Sequence, residues 1–264
     1  MTDPLPAARP RRLKEMWPEE VRDALRTDPR LLVPVGALEP HGSHLPLGCD
    51  SLIADRMADD LSRLSGVLRA PTVEYGVNAP HDEPASGSSG LRKKTLHRLL
   101  NDLLASWEHC GVRDFVLLTA HAHDPHQEAL ATVVTAQARV RVVDALSLDL
   151  HDLLQGQDEA MHADEVDTSL LLFLAPELVR ADRAADYMVE RATLRRWRQG
   201  RLKQAPPATS AIGRPSLASA ATGCALYARI VGRVAARVLD VPAERVNAFV
   251  TSLHPPGPEP SGAG

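Results

Sequence analysis

Aromatic residues and cysteine are scarce in this chain, and both shortages restrict what it can be. Phenylalanine, tryptophan and tyrosine together make up 3% of the 264 residues, whereas hydrophobic residues overall make up 44%. A sizeable core is therefore possible, but it must consist mainly of leucine, valine and alanine. The three cysteines, Cys49, Cys110 and Cys224, show no C-x-x-C spacing. An odd, widely spaced set argues against a disulfide framework and favours reduced thiols in the cytoplasm.

Long apolar segments and an excess of positive charge are also missing. No apolar run reaches the roughly 18 residues of a membrane span, and the N-terminal MTDPLPAARPRR lacks the apolar centre of a signal peptide. The formal net charge of −4 argues against a nucleic-acid partner, whose phosphates would favour a basic surface. We therefore expect a cytoplasmic protein with neither a membrane nor a nucleic-acid partner.

Short apolar runs alternate with helical patterns along most of the chain. Strands are predicted over residues 31–35, 67–73, 115–120 and 140–145. Helices are predicted from Pro18 and over residues 51–64, 96–107, 124–138, 164–175 and 217–238, with no element over 191–207. The alternation predicts an α/β fold with a mainly parallel sheet and helices on both faces. We expect one domain over residues 13–250, with residues 1–12 and 251–264 disordered because of their composition.

Three polar clusters follow apolar segments, and the first contains Glu39, His41, His44 and Asp50. Carboxylates and imidazoles together suit zinc, manganese, iron or cobalt, and a cluster not built from thiols is not a closed structural zinc site. The alternative is that Asp50 caps the helix beginning at Ser51 and that the histidines are ordinary loop residues. From these residues alone, both interpretations stay open.

The second cluster contains His121, His123, Asp124 and His126. His121 and His123 are the better ligand candidates, because residues i and i+2 project to the same side of an extended segment. Asp124 also fits a helix N-cap, since Pro125 would follow at the first helical position. His126 would then lie in the first helical turn, where we expect it to face solvent.

The third cluster contains His162, Asp164, Glu165 and Asp167. The acidic residues fit the N-terminus of a helix, where carboxylates complement the helix dipole. That role does not account for His162, because a positive imidazole is disfavoured at this position. A neutral histidine there suits a general base or a proton carrier.

Together the clusters resemble the creatininase (creatinine amidohydrolase) family over roughly residues 31–238. The family pattern Val-Gly-x-x-Glu-x-His-Gly-x-His-Leu-Pro, followed by Asp, is matched by VGALEPHGSHLPLGCD. The segment MHADEVDTS is similar to the family's His-Ala-Gly-x-x-Glu-Thr-Ser, and GRPSLASAATG is similar to its C-terminal Gly-Asp-Pro segment. The loop YGVNAPHDEPASGSSG, which contains His81, resembles the family's Gly-Val-x-x-x-His segment.

The resemblance implies a three-layer creatininase-like fold with a two-metal site and a homo-oligomer, possibly a hexamer. Carried over by position, Glu39, Asp50 and His121 would hold one divalent ion, and His41 with a bridging Asp50 would hold the other. His123 stands where creatininase has a metal-binding glutamate, and His162 stands at the position of the catalytic histidine. Zinc, manganese and iron are all compatible. Further residues would contact the ligands or the substrate, namely Asp167, His44, His81 and Asp124.

Departures from the family pattern affect the expected substrate. Its Asn-Gly-His-x-x-Asn motif reads Thr-Ala-His-Ala-His-Asp here, Asp167 replaces a glutamate, and Arg214 replaces an aspartate. We expect a metal-dependent amidohydrolase that cleaves a C–N bond in a cyclic amide, a formamide or a short peptide, possibly in specialised metabolism. The alternatives are a different metal-assisted reaction, such as hydration, dehydration or ring rearrangement, and a non-catalytic scaffold.

Overall fold

The computed structural model describes residues 9–79, 87–202 and 211–253 and has a four-stranded parallel sheet at its centre, in the order β2-β1-β3-β4. The strands are β1 (Arg30–Pro34), β2 (Leu68–Arg69), β3 (Asp114–Thr119) and β4 (Arg139–Asp144). In the central pair, Leu31 lies opposite Phe115 and Val33 lies opposite Leu117. The middle residues of this pair are continuous apolar runs, because a parallel sheet covered by helices is buried on both faces.

Eight α-helices occur in the described ranges. They are α1 (Pro18–Thr27), α2 (Cys49–Ser65), α3 (Lys93–His109), α4 (Asp124–Ala131), α5 (Glu165–Leu174), α6 (Arg191–Arg198), α7 (Ala220–Val238) and α8 (Ala243–Leu253). None of these helices is long and apolar enough to cross a bilayer.

The helices cover the sheet in two layers, each with its own apolar core. On one face, Leu32, Val116 and Leu118 pack against α2, α5 and α7. On the other face, Leu31 and Phe115 pack against α1, α3 and α4. The result is a three-layer α/β fold, which confirms the predicted fold class.

Several predicted boundaries differ from the structure. Helix α4 ends at Ala131, seven residues earlier than predicted, because side chains of α3 accept hydrogen bonds from the backbone amides that follow it. Asn101 accepts a hydrogen bond from Val134 N–H, and the Glu108 carboxylate accepts from the amides of residues 136–138. The second strand is only two residues long and is extended by a single bridge between Val35 and Val73.

Both ends of the described chain contact the domain. Arg11 N–H donates to Ser62 Oγ at 2.9 Å, and Arg12 Nε donates to Asp59 at the same distance, so this part of the expected N-terminal arm packs on α2. At the other end, α8 was not predicted, and it extends to Leu253, three residues into the expected tail. Residues 1–8 and 254–264 lie outside the described ranges.

Candidate metal centre

The first and second polar clusters meet at the carboxyl end of the sheet. Glu39 and His41 lie in the loop after β1, Asp50 is in the first turn of α2, and His121 follows β3. The loop and helix approach closely at Gly36, where any Cβ would overlap Ser51. That close approach brings the start of α2 back over the end of β1 and points Asp50 towards the histidines.

Glu39, Asp50 and His121 form the first compact donor group. Nδ1 of His121 lies 3.2 Å from Glu39 Oε1 and 3.1 Å from Asp50 Oδ2. All three side chains are buried, with exposed fractions of 3% or less. This is the residue set that the sequence assigns to one ion.

The orientation of His121 is set by its other ring nitrogen. Its Nε2 lies 2.9 Å from the carbonyl oxygen of Val77, so the Nε2 proton is donated there and Nδ1 is left to face the carboxylates. His126 supports the same segment, because its Nδ1 accepts from Val77 N–H at 3.2 Å and its Nε2 lies 3.2 Å from Thr119 Oγ1. The expectation that His126 faces solvent is wrong, since this side chain is fully buried.

Glu39, His41 and His162 form a second donor group that shares Glu39 with the first. Nδ1 of His162 lies 3.7 Å from Glu39 Oε1, and the His41 and His162 rings stack with centroids 4.4 Å apart. In each group, the candidate ligand atoms lie within 4.8 Å of one another. Backbone carbonyls orient both rings, because His41 Nδ1 pairs with Glu39 O and His162 Nε2 pairs with Pro40 O.

Asp50 connects the two groups. Its Oδ1 lies 3.2 Å from His41 Nε2, while its Oδ2 lies 3.1 Å from His121 Nδ1. The helix-cap interpretation of Asp50 is wrong: Gly48 is the N-cap of α2, and Asp50 lies inside the helix with its carboxylate turned to the histidines. One carboxylate with an imidazole at each oxygen has the arrangement of a bridging ligand.

Buried carboxylates dominate the electrostatics of the centre. Burial disfavours the charged form of His41, but Asp50, Asp167 and Glu39 outweigh it and raise the pKa of His41 to about 10. The pKa of His121 is raised in the same way against its burial by Glu39 and Asp50. Burial alone would raise the pKa of Asp50, yet the two imidazoles hold it below its usual range.

The donor set fits a divalent transition metal. It consists of oxygen and imidazole nitrogen atoms in a buried pocket, which suits zinc, manganese or iron. Asp50 Oδ2 accepts no well-aligned hydrogen bond from the described residues although it is buried. A buried carboxylate oxygen with spare acceptor capacity is costly unless a cation satisfies it.

His123 and Asp124 lie outside both donor groups. His123 donates from Nδ1 to Val77 O at 2.8 Å, and its Nε2 faces Gly200, 3.4 Å from where a Cβ there would lie. Burial lowers the pKa of His123, in contrast to that of His121. Asp124 is exposed and is the first residue of α4, with His123 as the N-cap. The metal-binding role of His123 stays a prediction.

The third cluster is divided between capping and the site. Asp164 caps α5 by accepting from the amides of Val166 and Asp167, as its helix-end interpretation predicted. Asp167 accepts from Ala163 N–H at 2.8 Å through Oδ2, while its buried Oδ1 has no hydrogen-bond partner among the described residues. Burial and the charge of Asp164 raise the pKa of Asp167.

His44, another predicted site residue, is not in the donor groups. Its Nε2 pairs with Thr168 Oγ1 at 2.9 Å. Burial and the positive charge of His41 lower the pKa of His44 to about 4, so it is a neutral hydrogen-bonding residue that joins the loop to α5. His81 lies outside the described residues.

Comparisons with known proteins agree with the family pattern of the sequence. A family model described as creatinine amidohydrolase matches residues 14–238. The 3-dehydro-scyllo-inosose hydrolase of Thermotoga maritima is 26% identical over 184 residues, which cover 65% of this chain but only 58% of that protein. The mycofactocin precursor peptide peptidase of Mycobacterium ulcerans is 30% identical over 224 residues, covering 80% of this chain and 85% of the relative.

Solved structures show the same fold. A crystal structure of creatinine amidohydrolase superposes with a TM-score of 0.71 at 22% identity, covering 88% of this chain and 98% of that one. Two other creatininases, described as of Zn-Zn type and as creatininase Mn, have TM-scores of 0.68 and 0.66 at 22% and 21% identity. They cover 88% and 92% of this chain and 98% and 97% of their own.

Proposed function

The chain belongs to the creatinine amidohydrolase family, whose relatives are named as hydrolases, and from this premise we propose that it is a two-metal amidohydrolase. Its substrate would be a cyclic amide, a formamide or a short peptide with a scissile C–N bond. The observation that carries the proposal is the position of the Asp50 carboxylate, which has His121 at one oxygen and His41 at the other.

The residues divide into two ligand sets around Asp50. Glu39 and His121 would complete one set, and His41 would belong to the other, for which His123 is the further predicted ligand. Two divalent cations, when bound, would polarise the substrate carbonyl and lower the pKa of a water molecule. Zinc, manganese and iron all suit the donor atoms. The names of two related structures, which mention zinc and manganese, support the first two.

His162 is proposed to move a proton to the leaving nitrogen. Its Nε2 proton is donated to Pro40 O at 3.0 Å, so Nδ1 is the atom that faces the centre near Glu39. An imidazole held in one orientation by a backbone carbonyl is suited to proton transfer, because its other ring nitrogen has a defined position.

The experiment that tests the proposal is metal analysis of three proteins by mass spectrometry. We expect about two transition-metal ions per chain in the wild type and almost none in Asp50→Ala. The matched control is Asp59→Asn, because Asp59 is also a buried acid of α2 but pairs with Arg12 and Arg69. It should keep its metal. A wild-type protein without bound metal after gentle purification would exclude this proposal and argue for a scaffold.

A second candidate is a metal-assisted hydrolysis of a substrate without an amide. One reason is His123, which replaces a glutamate of creatininase and lies outside both donor groups. The other is the Thermotoga maritima relative, whose name does not specify an amide. Turnover assays on a lactam, an N-formyl compound and a short peptide separate the candidates. Retained metal with no turnover of any of these amides would favour the second.

The proposed function also includes the cellular location of the protein and its assembly. We propose a cytoplasmic homo-oligomer, for which the family resemblance favours a hexamer, with a small-molecule or short-peptide substrate and no nucleic-acid partner. Light scattering of the purified protein tests the assembly, and a monomeric mass would contradict it.

A further inference from the structure

Helix α6 was not predicted, and it contacts the candidate metal centre through Trp197. Three of its four arginines are exposed and Arg198 is half-buried, whereas Leu194 and Trp197 turn inward and are 3% and 4% exposed. These two side chains pack with Ala79 and Ile212 in a small apolar cluster. A helix dominated by arginine thus places one indole in the interior beside the centre.

The indole of Trp197 contacts the proposed proton carrier. Its ring centroid lies 4.8 Å from that of His162, with the planes tilted by 56°. Ala79, which packs with the same cluster, donates its N–H to Glu39 Oε2 at 3.1 Å. Trp197 is therefore next to His162 and to the segment that holds Glu39.

The indole N–H of Trp197 is buried and has no acceptor among the described residues. Buried polar groups in native proteins are almost always hydrogen-bonded, and an exception calls for a specific reason. Packing alone would be served equally well by phenylalanine, which has no donor to satisfy. An unsatisfied donor on a ring that contacts His162 is accounted for if the acceptor arrives with the substrate.

We propose that Trp197 is a substrate-binding residue whose indole N–H donates to a substrate oxygen other than the one held at the metals. This inference deepens the proposed function and rests on it. It narrows the substrate class to amides that carry a second acceptor oxygen, such as a carboxylate or a second carbonyl, a few bonds from the scissile carbonyl. The neighbouring face of the indole would pack against the atoms between the two groups.

Hydroxamates separate this contact from metal binding. Acetohydroxamic acid chelates divalent metals but has no second oxygen group, whereas the monohydroxamates of malonic, succinic and glutaric acid add a carboxylate at increasing distance. Binding to the metal-bound protein is measured by titration calorimetry. We expect at least one monohydroxamate to bind the wild type about fivefold more tightly than acetohydroxamic acid, the effect of one net hydrogen bond.

The variants are Trp197→Phe and, as a matched control, Trp107→Phe. Trp107 is a partly buried tryptophan of α3 that packs on the core shared with α1 and α4, separate from the cluster of Trp197. Trp197→Phe should bind all the hydroxamates with the affinity of acetohydroxamic acid, with unchanged metal content and a melting temperature no lower than that of the wild type. Trp107→Phe should keep the fivefold preference.

The outcomes distinguish this inference from the proposed function. If acetohydroxamic acid binds but no monohydroxamate binds more tightly, or if Trp197→Phe keeps the preference, the indole contact is wrong and the metal centre stands. If no hydroxamate binds the metal-bound wild type, both fail.

Discussion

At the residue scale, the chemistry of the centre depends on what Nδ1 of His162 does. This atom lies 3.7 Å from Glu39 Oε1 in a geometry that could ligate a cation, and it is also the atom that we expect to carry a proton. The same nitrogen cannot do both at once, because a metal-bound nitrogen has no lone pair left to accept a proton. The two roles therefore predict different results when His162 is substituted.

We predict that His162→Gln keeps its metal and loses turnover. A missing proton carrier lowers kcat by roughly 10²- to 10⁴-fold, while the ions stay bound by the remaining ligands. Metal analysis and steady-state kinetics on the best substrate of the amide panel measure the two quantities. His151→Gln is the control, since the His151 side chain is 65% exposed and should show neither effect. Loss of one metal ion per chain from His162→Gln would instead identify a ligand.

A second residue-scale prediction concerns Tyr227, whose hydroxyl joins α7 to α2. It donates to Asp60 Oδ2 at 2.7 Å, and burial together with the charge of Asp60 raises the Tyr227 pKa well above its usual range. Tyr227→Phe should lower the free energy of unfolding by about 1–2 kcal/mol at pH 7, because one hydrogen bond to a charged group is lost.

The pH dependence of that difference follows from the direction of the shift. A raised pKa in the folded state contributes stability below the unfolded value of about 10, and this contribution decreases as the pH rises past 10. The gap between wild type and Tyr227→Phe should therefore narrow above pH 10 in urea unfolding curves. Tyr75→Phe, at a 48% exposed position, should have the same free energy of unfolding as the wild type at pH 7 and above pH 10. A stability difference between the wild type and Tyr227→Phe that stays constant above pH 10 would contradict the raised pKa of Tyr227.

The site residues that could be predicted from the sequence are those whose side chains act directly. Glu39, His41, Asp50 and His121 stand out as charged or imidazole residues after apolar strands. The sequence could not separate a ligand from a helix cap at Asp50, because that depends on where the helix begins. Nor could it show that the Val77 carbonyl orients His121, since every residue has a carbonyl and only the fold determines which one is used.

At the scale of elements, the packing of α7 against α5 depends on Gly223. A Cβ at this position would overlap the backbone carbonyl of Ser169, so the two helices can approach this closely only at a glycine. Gly232 lies in the same helix, and a Cβ there would make only ordinary contacts of 3.5 Å and more with α8. The two glycines therefore offer a matched comparison within one helix.

We predict opposite effects for the two alanine substitutions. Gly232→Ala should stabilise the protein by up to about 1 kcal/mol, the gain in helix propensity over glycine. Gly223→Ala has the same propensity gain but must push two packed helices apart, and overpacking of this kind costs about 1–3 kcal/mol or more. Urea unfolding measures both. Equal stabilisation by the two changes would show that α5 and α7 do not pack as described.

The elements that could be predicted are those whose apolar pattern is dense. Strands β1 and β3 are recognisable because each contains an unbroken apolar run, residues 31–33 and 115–118, that is too short for a helix. Helix α6 was not predicted because only two of its residues, Leu194 and Trp197, are buried and half of its residues are arginines. The early end of α4 could not be predicted either. The side chains that accept hydrogen bonds from the backbone amides after α4, Asn101 and Glu108, belong to another helix.

At the scale of the whole molecule, the proposed cations would join parts of the chain that are distant in sequence. Glu39 follows β1, Asp50 lies in the first turn of α2 and His121 follows β3, so the complete ligand set exists only in the folded protein. A ligand that binds the folded state alone stabilises it by mass action, by about 2.7 kcal/mol when its free concentration is 100 times the dissociation constant.

We predict that removing the metal lowers the melting temperature of the wild type by about 5–10 °C, since 1 kcal/mol corresponds to roughly 2–4 °C in a protein of this size. Scanning fluorimetry with and without EDTA, followed by zinc or manganese addition, measures the shift. Asp59→Asn should melt at a lower temperature but show the same shift, whereas Asp50→Ala should show none. A wild-type melting temperature that EDTA leaves unchanged would mean that no cation joins these segments, and that the buried carboxylates are balanced by their histidines alone.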